Sequence, residues 1–473
     1  MSAKQTRPAL ERGTIGDDMT IRLARWPAEA VSLIVFSSVI VIETLAGRMH
    51  PWFTPDTAGY LAIQSWPACL GGQRIPLYGW FVNGVFGITG GYGLIPWLQA
   101  AAYGAAMFYF LRGLPLDLFG RRARLALGLA LALSNVLLIW ICALVPCLLG
   151  IAALIASLRE VVALAGRGRA SFALLFRLGL FEGLAFLLWP GLLPTIGTGA
   201  VLVFVLARLH RRGWGIRRAA LALLAGVLPF LLVSSVRLAT VGDFNIVSFG
   251  GFQMSGMAAL MLSPGVIERL PAGERPLATA ILAGRQRLEA SGQAIATPRN
   301  STGKRSLLSE EIGYFGILAR THDDILYHAV GPQQGAGETW VAFNQRLMRL
   351  ALSTVRADKL IYIGWVVGAA VRMAGHMSIT EPAFLIPMVM LFVILGFRGY
   401  RSPEPAEDPS ALIVVVLWTT AGALALSVLV TFPALRYIDV GSIVLPALPI
   451  YALLGQLGVH PVGPSRVSAF MES

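Results

Sequence analysis

The chain has 473 residues, 56% of them hydrophobic and only 13% charged, against roughly 25% charged in ordinary soluble domains. That balance excludes a soluble globular enzyme and points to a polytopic membrane protein, since several apolar windows reach the ~20 residues that a helix needs to cross a hydrocarbon core of about 30 Å. The formal charge of +13 does not mark a nucleic-acid binder, because the basic residues punctuate hydrophobic segments instead of collecting on one soluble face.

Residues 1–27 are charged, with Lys4, Arg7, Glu11, Arg12, Asp17, Asp18, Arg22 and Arg25, and they lack the short apolar core and small-residue cleavage site of a secretory signal. They are expected to be a cytoplasmic amino-terminal segment, with the first hydrophobic stretch retained. Ala28 to Gly47 is the first expected span, and the arginines before it put the following loop outside by the positive-inside rule. Pro76 to Gly90 is apolar but short and glycine-rich, as in a helix lying in the interface. Tyr92 to Leu111, Leu125 to Cys142, Ala143 to Leu158, Phe172 to Trp189, Gly197 to Leu209 and Ala219 to Val236 follow as spans. Alternate connections are strongly basic, the clearest being RLHRRGWGIRR, which carries Arg208, Arg211, Arg212, Arg217 and Arg218 and no acid.

The chain thus divides into a transmembrane module over 28–236 with an external loop at 48–91, a long external connection with an interfacial helix over 237–383, carboxy-terminal spans over 384–457 and a cytoplasmic tail at 458–473. Lys359 to Ala374 is laid along the interface, because a crossing there would put RGYR, 398–401, on the wrong side of the charge rule. The expected fold is all-α, with about ten transmembrane helices, interfacial helices in the first external loop, and a partly folded external cap. THDDILYHAV and WVAFNQRLMRLAL are its helical patches. Three cysteines do not make a disulfide scaffold. Cys142 and Cys147 read as small buried hydrophobes, and Cys69 has no evident partner.

The stretch Arg48 to Tyr78, RMHPWFTPDTAGYLAIQSWPACLGGQRIPLY, places Asp56, Tyr60, Arg74 and Tyr78 just outside the first span. Asp56 follows Pro55 and can cap the helix begun by TAGYLAIQSW. It can equally accept a proton from an attacking hydroxyl or orient a divalent cation. An arginine beside it can stabilise negative charge on a departing phosphate.

The segments PDTAGYLAIQ and QRIPLYGWF resemble the first external loop of membrane glycosyltransferases of the GT-C superfamily, the class that includes protein mannosyltransferases and lipid A aminoarabinose transferases. Asp56 takes the acidic position and Arg74 that of the arginine in R-x-P-L-Y-P, with Gly79 in place of the last proline. Arg237, Gly242, Phe244 and SFGGFQ, 248–253, resemble R, G-x-F and FGG-x-N, with Gln253 at the amide position. Arg436 and Tyr437 resemble the RY motif that opens the last span. The fifth span departs, since Trp189 stands where L-x-R-P-x-G has arginine. Trp189 then reads as an interfacial anchor or a sugar-stacking platform.

The resemblance implies a bacterial inner-membrane transferase with a periplasmic site. The donor would be a polyprenyl-phosphate-linked sugar and the acceptor a lipid or glycan, with membrane lipid around it and no nucleic acid. Asp56 would be the catalytic carboxylate, with Tyr60, Arg74, Tyr78, Arg237, Gln253, Arg436 and Tyr437 binding substrate. No cofactor is otherwise implied, and a divalent cation stays open. A flippase for lipid-linked saccharide is the alternative outside catalysis. An oligosaccharide ligase or polysaccharide polymerase is the alternative within it, for which Arg346, Arg349 and His322 are the external candidates.

Other polar positions have two readings each. Glu182, in the fifth span, is a functional group or a partner of Arg177. Glu43 and Arg48 read first as an interfacial ion pair. His322, Asp323 and Asp324 lack metal-ligand spacing and read as a solvated face.

Overall fold

The computed structural model describes residues 26–63, 65–116, 118–166, 170–209, 214–291, 324–398, 408–429 and 442–457. Among these, every regular element is a helix, and an isolated bridge pairs Trp52 with Ala143. The first half comprises α1 (Ala28–Leu45), α2 (Thr57–Leu61), α3 (Pro76–Thr89), α4 (Ile95–Gly113), α5 (Arg121–Leu133), α6 (Asn135–Trp140), α7 (Cys147–Gly166), α8 (Phe172–Leu188), α9 (Thr195–Leu209) and α10 (Gly215–Val241). α3 opens on Pro76, whose missing N–H costs nothing in a first turn, and closes at Gly90 in the left-handed region, φ +70°. The expected span over Leu125 to Cys142 falls in one apolar stretch, Arg121–Trp140, built from two successive helices. Ser134 turns extended between them, and its hydroxyl caps α6 by accepting from Val136 N at 3.3 Å.

Among the described residues, six helical stretches are long and apolar enough to cross a membrane: Ala28–Leu45, Arg121–Trp140, Cys147–Gly166, Pro190–Leu209, Gly215–Val241 and Lys359–Ser378. Three shorter apolar helices accompany them: Pro382–Gly396, Ser410–Gly422 and Ala447–Gln456. α7 is the centre of the bundle, packed by α4, α8 and α9. Its apolar window is 89% buried, against 17% for that of α10. α10 turns Leu223, Leu224, Leu228, Leu231 and Leu232 outward, an apolar surface of the kind that lipid covers and water does not.

After α10 come α11 (Gly250–Met261), α12 (Pro264–Glu268), α13 (Arg275–Ala290), a π-helical turn (Ile325–Val330) and α14 (Trp340–Ala357). These elements have a core of their own, with Phe252, Leu262, Leu277, Ile281, Ile325, Phe343 and Leu347 buried together. α11 and α14 approach so closely that a Cβ on Gly251 would collide with the Asn344 carbonyl. The Asn344 side chain seals this crossing, its Oδ1 accepting from Phe252 N at 3.0 Å. Both expected helical patches of the cap are therefore helical where described, although Thr321, His322 and Asp323 lie outside the described residues.

α15 (Lys359–Thr380), α16 (Pro382–Arg398), α17 (Ser410–Leu429) and α18 (Ala447–Gln456) complete the chain. α15 is longer than the stretch ending at Ala374. Asp358, at its start, pairs with Arg269 of the cap at 3.1 Å. Glu381, just beyond its end, accepts from Asn135 N at 3.0 Å, at the break between α5 and α6.

Candidate functional site

The first loop is fixed by a threonine, not by its aspartate. Thr54 N donates to Thr57 Oγ1 at 2.9 Å, and Thr57 Oγ1 donates to the Leu144 carbonyl at 3.1 Å. Around the Trp52–Ala143 bridge, Trp52 N donates to the Cys142 carbonyl at 2.7 Å and Leu144 N donates to the Trp52 carbonyl at 2.9 Å. Asp56 occupies the N-cap position of α2, yet its carboxylate makes no capping bond. It accepts instead from Arg74 Nη2, eighteen residues on. The capping role weighed for Asp56 is thus not the one its side chain plays.

Arg74 lies in a slot. Its guanidinium carbon is 5.4 Å from the centre of the Tyr60 ring and 5.1 Å from that of Phe249, cation–π contacts worth about 0.5–1 kcal/mol each when partly exposed. Gly59 forms the floor, where a Cβ would stand 3.3 Å from Arg74 Nε. The pair is sheltered but reachable, with side chains 17% (Arg74) and 21% (Asp56) exposed. Among the described residues, Arg74 Nε and Nη1 have no protein acceptor. One edge of the guanidinium is therefore held by Asp56 while two donor nitrogens, Nε and Nη1, remain for a ligand.

Tyr60 meets Tyr78 edge to face at 5.3 Å. Tyr78 is fully buried, and its hydroxyl donates to Gln99 Oε1 at 3.2 Å. Gln99 in turn donates to the carbonyls of Ile141 and Ala143 at 2.8 and 3.2 Å. Tyr78 is thus fully buried with its hydroxyl given to Gln99, which corrects its expected place as a substrate contact. Burial pushes the Tyr78 phenol well above its ordinary value, so it stays a neutral donor to Gln99.

Arg237 also differs from its expected role. It is buried, its Nη1 donating to the Leu70 carbonyl and its Nη2 to Asp243 Oδ2 at 3.1 Å and Ser248 Oγ at 2.6 Å. With Nη1 and Nη2 held in this way and Nε buried without a hydrogen-bond partner among the described residues, the guanidinium ties the first loop to the end of α10 and to Ser248. Its consequence is positional, since Phe249 follows Ser248 directly. Trp340 Nε1 donates to the Ser248 carbonyl, and its ring stacks on Phe249 at 6.2 Å. Gln253 stands one turn beyond Phe249, at the opening of α11.

The structure thus brings PDTAGY, RIPLY and SFGGFQ together, with Asp56, Tyr60 and Arg74 on one side of the contact and Phe249 on the other. Below them Ile75, Phe186, Ile196, Ile246 and Val247 form one apolar layer. Arg436 and Tyr437 lie outside the described residues. Phe249 was not singled out from its motif, though it is the ring that meets Arg74. Gln99, Asp243 and Ser248 were missed because their partners are distant in sequence or unmarked by any motif.

The remaining candidates resolve individually. Glu43 and Arg48 form the expected ion pair at 2.8 Å. Arg177 is not the partner of Glu182, because it binds Glu160 at 3.3 Å, which Arg159 and Tyr109 also contact. Trp189 is 4% exposed, too buried for a lipid-facing anchor. Arg346 is committed to Glu338 at 2.7 Å and to the Gln333 carbonyl at 2.7 Å, which holds the Glu338 carboxyl below its ordinary range. Cys69 and Cys147 are buried and Cys142 is half-buried, and none of the three is in a disulfide among the described residues. In comparisons with known proteins, no family model, curated protein or solved structure matches the chain.

Proposed function

We propose that this chain is a bacterial inner-membrane glycosyltransferase that moves a sugar from a polyprenyl-phosphate carrier to a lipid or glycan acceptor on the periplasmic side. The observation that carries the reading is the Asp56–Arg74 pair, sheltered and ring-framed, with two guanidinium nitrogens left to donate to a ligand. In the transfer step the bond between the sugar's anomeric carbon and the phosphate oxygen breaks, and a bond from the acceptor hydroxyl oxygen forms. The hydroxyl proton passes to Asp56. The electron pair of the broken bond stays on the departing phosphate, where Arg74 Nε and Nη1 meet the growing charge. Tyr60 and Phe249 hold the guanidinium flat, and Arg237 positions Phe249 without touching substrate.

The ten-span reading belongs to the same proposal. α3 and α15 lie along the interface, and both chain ends face the cytoplasm. Its support for α15 is that Asp358 and Glu381, at the two ends of that helix, meet Arg269 of the cap and the α5–α6 break. In this reading the cap, 237–358, closes over the first loop and selects the acceptor.

The test is incubation of the purified full chain with a radiolabelled polyprenyl-phosphate sugar and lipid or glycan acceptors in liposomes, followed by mass spectrometry of the products. The reading expects a product heavier than the acceptor by a single sugar unit. A block of several sugars would support a ligase or polymerase. Translocated but unreacted donor would show a flippase.

A further inference from the structure

A largely apolar cleft inside the bundle holds one buried carboxylate. Ser157 of α7, Glu182 of α8, Thr195 and Thr198 of α9, and Trp418 and Thr419 of α17 line a cleft of about 40 Å³. Glu182 is ten residues along α8, about 15 Å from the start of that helix at 1.5 Å per residue, and only 2% exposed. Its Oε2 is buried and has no hydrogen-bond partner among the described residues.

The backbone makes room for this carboxylate. A Cβ on Gly226 of α10 would collide with Glu182 Oε2, and one on Gly199 would stand 3.0 Å from Oε1. Two neighbouring helices therefore carry glycine where any larger residue would press on the acid.

The hydrogen-bonding inventory of the cleft is one-sided. Ser157 Oγ donates to the Leu154 carbonyl at 2.8 Å, Thr195 Oγ1 to Leu192 at 2.6 Å, Thr198 Oγ1 to Thr195 at 3.1 Å and Thr419 Oγ1 to Val415 at 2.8 Å. The Trp418 indole N–H is spent on the Thr198 carbonyl at 2.5 Å. Each hydroxyl proton points back into its own helix, so the cleft is offered oxygen lone pairs and a carboxylate. The nearby guanidinium on the same helix, Arg177, is bound to Glu160.

We infer that this cleft is a binding site for a small monovalent cation, held by the Glu182 carboxylate and the Ser157, Thr195, Thr198 and Thr419 oxygens. Hard cations take oxygen ligands of this kind, and an ionisable side chain within an apolar span requires a partner. The site is separate from the Asp56–Arg74 pair and does not depend on transfer chemistry. Ile196, which packs beside Gly226 next to Glu182, also belongs to the apolar layer under the first loop.

The test is the melting temperature of the purified full chain in detergent, titrated at constant ionic strength with sodium, lithium, potassium or methylammonium chloride against choline chloride. The inference expects a saturable rise with at least one of these cations, which also separates an alkali-metal ion from an ammonium group. Glu182→Gln, which keeps the shape and removes the charge, is expected to weaken the apparent Kd by about tenfold or more. Thr198→Val, which keeps volume and removes one oxygen, is expected to weaken it to a smaller degree while preserving the fold. Equal melting curves in all the salts for the unmodified protein, as for a cleft filled by a lipid chain, would overturn the inference. So would an unchanged cation response in both variants.

Discussion

Arg74→Ala is expected to lower the rate of sugar transfer by about 10²–10³-fold, the loss found when one preorganised donor to developing charge is removed. The reason is local. Asp56 takes one edge of the guanidinium, Tyr60 and Phe249 hold its faces, and Nε and Nη1 have no protein acceptor among the described residues. Arg74→Lys keeps the charge but presents a compact ammonium in place of a planar fork. An ammonium paired with Asp56 has no fixed second edge for a phosphate, so this variant should recover only a small part of the rate. Steady-state kinetics check the pair of substitutions. The decrease should fall chiefly on kcat if the contact strengthens as the leaving group departs. Stability should fall much less, because a partly exposed ion pair contributes about 1 kcal/mol or less.

Gly79→Ala should be the most damaging single methyl group in the first loop. A Cβ there would lie 2.5 Å from the Tyr60 carbonyl and would collide with the side chain of Ile63. Neither neighbour can yield easily, since Tyr60 is packed against Tyr78 and Tyr78 is bound to Gln99. α2 must then move away from α3, carrying Asp56 and Tyr60 from Arg74. Overpacking of this kind costs about 1–3 kcal/mol, and the accompanying misplacement should cost transfer about 100-fold. Thermal melting and a transfer assay read the two effects separately. Gly79→Pro, which would restore the R-x-P-L-Y-P pattern, also adds a Cβ and should do no better. The glycine is thus required by how closely α2 and α3 approach.

The helical bundle was largely legible in the sequence, because apolar length and basic punctuation are local signals. Phe172 to Trp189 and Tyr92 to Leu111 differ from α8 and α4 by only a few residues at their ends. The single Ser134 that divides α5 from α6 was not visible, since its cap and its Glu381 neighbour are tertiary facts. The Asp56–Arg74 meeting was foreshadowed by two motifs on one loop. The place of Arg237 was not, because its partner Leu70 is 167 residues away, and a motif cannot tell an arginine that grips substrate from one that grips the backbone. The anchor reading of Trp189 failed for the same reason, and Glu182 was left open between Arg177 and a functional role. Hydropathy gives the depth of a residue along a span but not which helix faces it.

The most direct measurement of the central claim is single-turnover transfer by purified Asp56→Asn with a lipid-linked sugar, beside its equilibrium affinity for that donor. Asn keeps the shape of the side chain and can still face Arg74 through its carbonyl oxygen, but it cannot take a proton as a carboxylate does. The account predicts donor affinity within a few-fold of the parent protein and a rate lowered by about 10²–10⁴-fold. A folded Asp56→Asn protein that transfers sugar at the parent rate would contradict it.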